Sequence, residues 1–406
     1  MKRLFFCVAF AFVVCAQNMF SWEMGFLFAN EIVSKNTTDQ SHDAGETAGL
    51  SFWLSFRPGE NTALYFKGSF RLKNDAFAGY PNDWLVYTEL DNAQITISPV
   101  SFFYAEAGRF NFNDALNFSA SGQFDGALVR FILGRHTIKT GAFYTGLLSR
   151  HSTKVAMSNA DISGYYGDAY FAPAHLFLTL SYLYYPAGFN ETFFELNAMY
   201  DAGLSGDSEQ TTIYGMGKLS FSPGGGHHID AGAALSFAKN AEGSSLALYA
   251  AAGYDMLIRT YFPSRLGFAV NLYYGGLEND APMPVLNRKK LALLYDPLPS
   301  RLITVRSSYL IRISEYLSFD AAFTFFSRLD SAHKPDFWIY NNYENPNSNS
   351  FLLGEELSAV TIWTPVSDFS LNLALVFFFP DNGPDGAYIQ ETPVGWDLRL
   401  GVILSF

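Results

Sequence analysis

Lys67, Arg71, Arg130, Lys139, Lys218, Arg265, Arg306, Arg312, Arg328 and Arg399 stand in segments where charged or polar residues alternate with apolar ones. Glu195, Asp230, Asp255, Asp320, Asp368 and Asp397 share that spacing and are fewer. Fixed cations around an aqueous passage lower the entry barrier for anions. The competing account is structural: opposite charges pair and hold a solvated interior together. Candidate pairs are Arg306 or Arg328 with Asp320, and Arg399 with Asp397 or Asp368. Pairing is the expected role of most of these residues, and the surplus of bases leaves a bias toward anionic solutes.

Bond-making chemistry finds little support. The histidines are His42, His136, His151, His175, His227, His228 and His333. His151 beside Ser149 and Ser152, or His42 beside Ser41 and Asp43, are chain neighbours without a nucleophile motif around them. A hydrolase needs nucleophile, base and orienting group in one geometry. His227 and His228 are adjacent, so on a strand they point to opposite faces and cannot share a metal. No catalytic residue, metal ligand or cofactor is expected.

Strands must position the charges. In Gly395-Trp396-Asp397-Leu398-Arg399-Leu400-Gly401-Val402-Ile403-Leu404-Ser405-Phe406, the even positions are apolar and the odd ones mostly polar. Leu176 to Tyr184, Leu266 to Tyr274, Ile303 to Ile313 and Phe369 to Phe379 repeat that period of two. Their runs of about 10 to 14 residues match a tilted crossing of a bilayer rather than a strand in a sandwich. Short Pro/Gly turns, such as Arg57-Pro58-Gly59-Glu60 and Ser222-Pro223-Gly224-Gly225-Gly226, alternate with longer polar stretches near 35–46, 73–83, 110–123, 276–298, 330–349 and 381–391. Requiring short and long connections to fall at opposite rims makes 148–174 one long excursion, despite a strand-like stretch within it. The fold class is all-β: a single transmembrane antiparallel β-barrel of about 18 strands, with 16 to 20 as the range. Alternation is weakest at 84–98, 102–109 and 350–364.

Met1-Lys2-Arg3 and the apolar run from Leu4 to Val14 read as a signal peptide, 1–16, cut after Ala16 or as late as residue 21. The barrel then fills 23–406. Cys7 and Cys15, the two cysteines of the chain, lie in that leader. Formal charge is −12, and −14 once Lys2 and Arg3 are removed, because residues 4–16 carry none. Such acidity excludes a nucleic-acid-binding protein, which presents a basic stripe. Beyond the leader no run of 18 apolar residues occurs, against a helical membrane protein. Forty Phe and 24 Tyr fit a lipid-facing exterior with aromatic girdles.

The segment from Arg109 to Gln123 mixes polar residues with Phe110, Phe112 and Phe118. It could fold inward as a constriction whose aromatics meet sugar faces, although an exposed loop is the favoured reading. Ala107-Gly108-Arg109, then Phe124-Asp125-Gly126-Ala127-Leu128-Val129-Arg130, then Lys139-Thr140-Gly141-Ala142-Phe143-Tyr144 resemble a stretch of alginate-export-type outer-membrane channels. The resemblance covers about 40 residues. It implies an 18-stranded monomeric channel with a basic interior, suited to a polyanionic sugar, with Arg109 and Arg130 as pore-wall arginines. The chain-terminal Phe406 resembles the assembly signal of bacterial outer-membrane proteins.

Together these features describe a porin-like outer-membrane channel for small hydrophilic solutes, anionic or sugar-acid ones among them. Its expected partners are outer-membrane lipid and the barrel-assembly machinery, met through the C-terminal strand. The alternative is a barrel that anchors surface loops for adhesion.

Overall fold

The computed structural model describes residues 21–36, 43–75, 84–150, 153, 155, 171–187, 191–204, 210–240, 243–275, 290–297, 300–330, 345, 348–390 and 392–406. The leader with Cys7 and Cys15, His42, His151 and His333 lie outside them, as does most of 148–174, 276–298 and 330–349.

The first nine strands are β1 (Ser21–Asn36), β2 (Asp43–Gly59), β3 (Thr62–Asp75), β4 (Trp84–Val100), β5 (Phe103–Asn113), β6 (Ser121–Leu133), β7 (His136–Tyr144), β8 (His175–Tyr184) and β9 (Phe193–Gly203). The second nine are β10 (Thr211–Gly224), β11 (His227–Lys239), β12 (Ser244–Ile258), β13 (Ser264–Tyr274), β14 (Leu302–Arg312), β15 (Leu317–Arg328), β16 (Leu352–Val366), β17 (Phe369–Pro380) and β18 (Gly395–Ser405). Each pairs antiparallel with the next, and β18 pairs with β1, from Leu27 opposite Ser405 to Asn36 opposite Trp396. The result is a closed 18-stranded barrel. Closure matters because every strand then finds hydrogen-bonding neighbours on both sides, a requirement in hydrocarbon.

The two faces follow from the register, since residues directly opposite on neighbouring strands share a face. Leu50, Phe66, Leu180, Leu235 and Phe268 lie exposed on the outer face, among many large apolar side chains there. Thr179, Ser181, Asn197, Thr212, Ser236 and Thr304 lie buried on the inner face. The tightest connections, β2–β3, β4–β5, β6–β7, β10–β11 and β16–β17, and both described ends gather at one rim, called here the turn rim; the longest, after β7, β13, β15 and β17, leave from the other, which also carries the short β11–β12 connection. No barrel strand falls between Tyr144 and His175 among the described residues.

The weak alternation of β4 and β16 has a physical cause. β4 carries a bulge between Leu90 and Asn92, opposite Lys67 and Gly68, and β16 begins with a bulge around Leu353, opposite Phe326 and Ser327. One extra residue reverses which positions face inward, so a strict period of two fails across it.

Candidate functional site

Register places Lys67, Arg71, Arg130, Lys139, Lys218, Arg265, Arg306, Arg312, Arg328 and Arg399 on the inner face, with Asp320 and Asp397. Most of the bases are held. Arg71 Nη2 lies 2.5 Å from Asp91 and 3.5 Å from Glu89, both on the bulged half of β4. Lys139 reaches Glu195 at 3.3 Å, and Lys218 approaches Asp230 at 3.7 Å. Arg265 grips both oxygens of Asp255, at 2.9 and 2.6 Å. Arg399 binds Asp397 through Nε and Nη2, at 3.0 and 2.6 Å.

Two expected pairs differ. Arg328 donates to the Ser350 carbonyl and the Ser348 hydroxyl rather than to Asp320. Asp320 stands opposite Leu310, one oxygen buried without a hydrogen-bond partner. Arg312, at the turn rim, donates to the Glu315 carbonyl at 3.3 Å. Sequence alternation also missed Glu89, Asp91, Glu106, Asp201 and Glu356 on the inner face, so the interior is closer to charge balance than expected.

Among the described residues, Lys67, Arg130 and Arg306 have no carboxylate within 4 Å. Arg130 sits over the Tyr104 ring, 5.1 Å from its centroid, and directly across from Lys139. Guanidinium over an aromatic face keeps its charge available in-plane.

Arg109 falls on a different face from Arg130. It is 6% exposed and bonded to Asp125 through Nε and Nη2, both at 2.8 Å. Its guanidinium faces the backbone and not open lumen water.

Two segments leave the wall and enter the barrel. The first is the tip of the β5–β6 hairpin, so the favoured reading of an exposed loop is corrected. Asp114, 4% exposed, turns this tip back on itself. One oxygen accepts the N–H groups of Leu116 and Phe118 at 2.8 and 3.2 Å; the other accepts those of Ser119 and Ala120 at 2.7 and 2.6 Å. Burial pushes its carboxyl above the ordinary carboxylate range, against the downward pull of those four donors. The tip then reaches the far wall: Phe118 stacks on Tyr249 of β12 at 4.2 Å and 8°, beside Tyr273 of β13. Phe110, Phe112 and Phe124 pack with Phe143 and Phe177 at the root. These rings are buried against one another and do not offer faces to a sugar.

The second segment is 290–297, between β13 and β14. Glu356 of β16 accepts the backbone N–H groups of Leu293, Leu294 and Tyr295 at 2.8–2.9 Å. Tyr295 stacks on Phe378 at 4.1 Å and 7°, and its hydroxyl bonds that of Tyr388 at 2.7 Å. Arg399 Nη2 donates to the Leu293 carbonyl at 2.9 Å, so the same arginine pairs with Asp397 and fixes this segment. Phe118, Tyr249, Tyr273, Tyr295, Phe378 and Tyr388 belong to one apolar cluster.

An 18-stranded barrel with segments folded inside it can be compared with solved structures. It resembles the Pseudomonas porins. A BenF-like porin from Pseudomonas fluorescens Pf-5 aligns over 95% of this chain and 98% of its own, with TM-score 0.60 and 12% identity. OpdL from Pseudomonas aeruginosa aligns over 95% and 99%, with TM-score 0.59 and 12% identity. OprD from the same organism aligns over 95% and 93%, with TM-score 0.58 and 13% identity. At such identity the likeness shows the porin-type barrel fold. No family model and no curated protein sequence matches the chain.

The described histidines are each hydrogen-bonded to residues of the wall. His136 and His227 bond the hydroxyls of Tyr182 and Tyr254 on the outer face, at 2.7 Å each. His228 lies inside between Ser222 and Asp230, and His175 inside against Asp201. Among the described residues no cluster of three metal-ligating side chains occurs.

Proposed function

We propose that the protein is a passive channel of a bacterial outer membrane for small hydrophilic solutes, with a preference for anions. One observation carries the reading: in a closed barrel, apolar outside and polar inside, the inner-wall cations Lys67, Arg130, Arg306 and Arg312 have no carboxylate within 4 Å among the described residues. Unpaired cations attract anions, whereas the paired arginines present little net charge. The likeness of residues 107–144 to alginate-export-type channels supports sugar acids as one solute class. The short turns and both ends would face the periplasm, and the barrel-assembly machinery would meet β18 and its final Phe406.

Planar-bilayer recording of the refolded protein is the test. Discrete conductance steps with an anion-selective reversal potential are expected. Replacing Lys67, Arg130 and Arg306 together by Gln should move that potential toward zero, while R265Q should move it less. Clear cation preference in the wild-type protein would end the anion reading.

A second reading, a barrel that anchors surface loops, draws on the apolar cluster joining both inward segments. Complete absence of conductance would select it.

A further inference from the structure

β5 pairs with β4 only as far as Arg109 opposite Ala93, although β4 continues to Trp84. Beyond that point β5 and β6 stay paired with each other, to Asn113 opposite Ser121, and travel inward together. Gly108 makes the departure: its φ is +116°, and a Cβ there would lie 1.9 Å from the Ala93 carbonyl oxygen. Its register partner Gly126 is as constrained, since a Cβ there would lie 2.2 Å from the Ala142 carbonyl oxygen.

Departure strips β4 of neighbours that would have bonded its backbone. Two of its carbonyls are met by side chains of the hairpin instead. Arg109 Nη1 donates to Leu90 O at 2.8 Å, and Gln123 Nε2 donates to Asp91 O. Arg109 Nη2 also reaches Leu147 O, beyond the end of β7, at 2.7 Å, while the fork is filled by Asp125 on the other leg of the hairpin. A single guanidinium therefore ties both legs of the hairpin to the wall on each side of the gap. Lysine could not do this, because one ammonium lacks the planar fork.

We propose that Arg109, bonded at once to Asp125, Leu90 O and Leu147 O, is the latch that holds the β5–β6 hairpin across the lumen and sets the bore of the channel. The bore rests on the channel reading; the latch does not. Gly108-Arg109 and Phe124-Asp125-Gly126, residues that carry the family resemblance, are the hinge and the latch of this inward turn.

The test reads the position of the tip directly. Leu116 of the tip lies against Gly232 of β11, where a Cβ would meet the Leu116 side chain at 2.3 Å. No cysteine occurs between residues 16 and 406, so the L116C/G232C pair is the barrel's own thiol pair. Oxidised in detergent, the pair should cross-link almost completely with Arg109 in place. Yield in the R109M background should fall on the order of tenfold, the equilibrium effect of losing bonds to a charged group. Heat-modifiable gel mobility reports whether each variant has folded. If R109M does not fold, R109K takes its place, and its yield should also fall. An unchanged yield in the folded variant would overturn the latch. Recovery of the yield in R109M/D125N would overturn it too, by showing that the orphaned carboxylate displaces the hairpin. In bilayers, R109M should conduct more than the wild type; equal conductance with cross-linking lost would overturn the role in setting the bore. A wild-type barrel that conducts nothing would end the channel reading, while the cross-link still judges the latch.

Discussion

Asp114 and Glu356 do similar work in different places. Each is a buried carboxylate that gathers several backbone N–H groups and so holds an irregular segment inside a barrel. Substituting Asp114 by Asn removes one acceptor oxygen and turns an amide donor toward N–H groups. Each buried donor left unmet costs about 1–3 kcal/mol. D114N should therefore loosen the tip and raise conductance, with the thermal unfolding of the barrel itself little changed. Its pH behaviour has a definite sign. The folded carboxyl titrates above its unfolded value of 3.8, so the folded state binds the proton more tightly. This group's contribution therefore grows as pH falls from the raised value toward 3.8, and stability is lost as pH rises through that window. Neither anchor was legible in the sequence as an anchor. A carboxylate among polar loop residues looks like a solvated one until the backbone around it is placed.

At the scale of elements, alternation identified the strands and failed where a strand changes face. The bulge in β4 turns both Glu89 and Asp91 inward, next to Arg71, which is why both were missed. Arg109 was expected to line the pore because the resemblance to alginate-export-type channels implied it; the turn at Gly108 instead carries it into the seam between hairpin and wall. The second inward segment did leave a signal. Leu291-Ala292-Leu293-Leu294-Tyr295 is an apolar run inside a polar stretch, more than a solvated loop would carry. Across the lumen, the Phe118–Tyr249 stack is the contact most open to challenge. Such a pair contributes about 0.5–1.5 kcal/mol beyond the area it buries. F118A should thus increase channel noise and mean conductance without altering heat-modifiable mobility, and Y249A should do the same from the opposite side.

For the whole molecule, one end of the chain was enough to give the class. The strand from Trp396 to Phe406 shows the period, and the length of the runs set barrel against sandwich. What periodicity could not reach was the interior of the loops, because contacts across a lumen have no spacing in the sequence. Phe406 exchanges backbone hydrogen bonds with Phe26, at 3.0 and 2.9 Å, while the residue stays 77% exposed. The backbone thus seals the barrel while the side chain is left exposed, as the proposed recognition by assembly machinery requires. F406A should lower the amount of barrel inserted in cells and leave refolding in detergent nearly unchanged; equal loss in both would assign the ring a purely structural task.

The seam between β1 and β18 joins the first and last strands of the barrel, so it can form only when both are present. Until residues 395–405 have been synthesised, β1 has no partner on that side, and neither does the growing far end of the sheet. An incomplete sheet therefore keeps two raw borders, each a row of unmet backbone groups, until the first and last strands meet and the circle is complete.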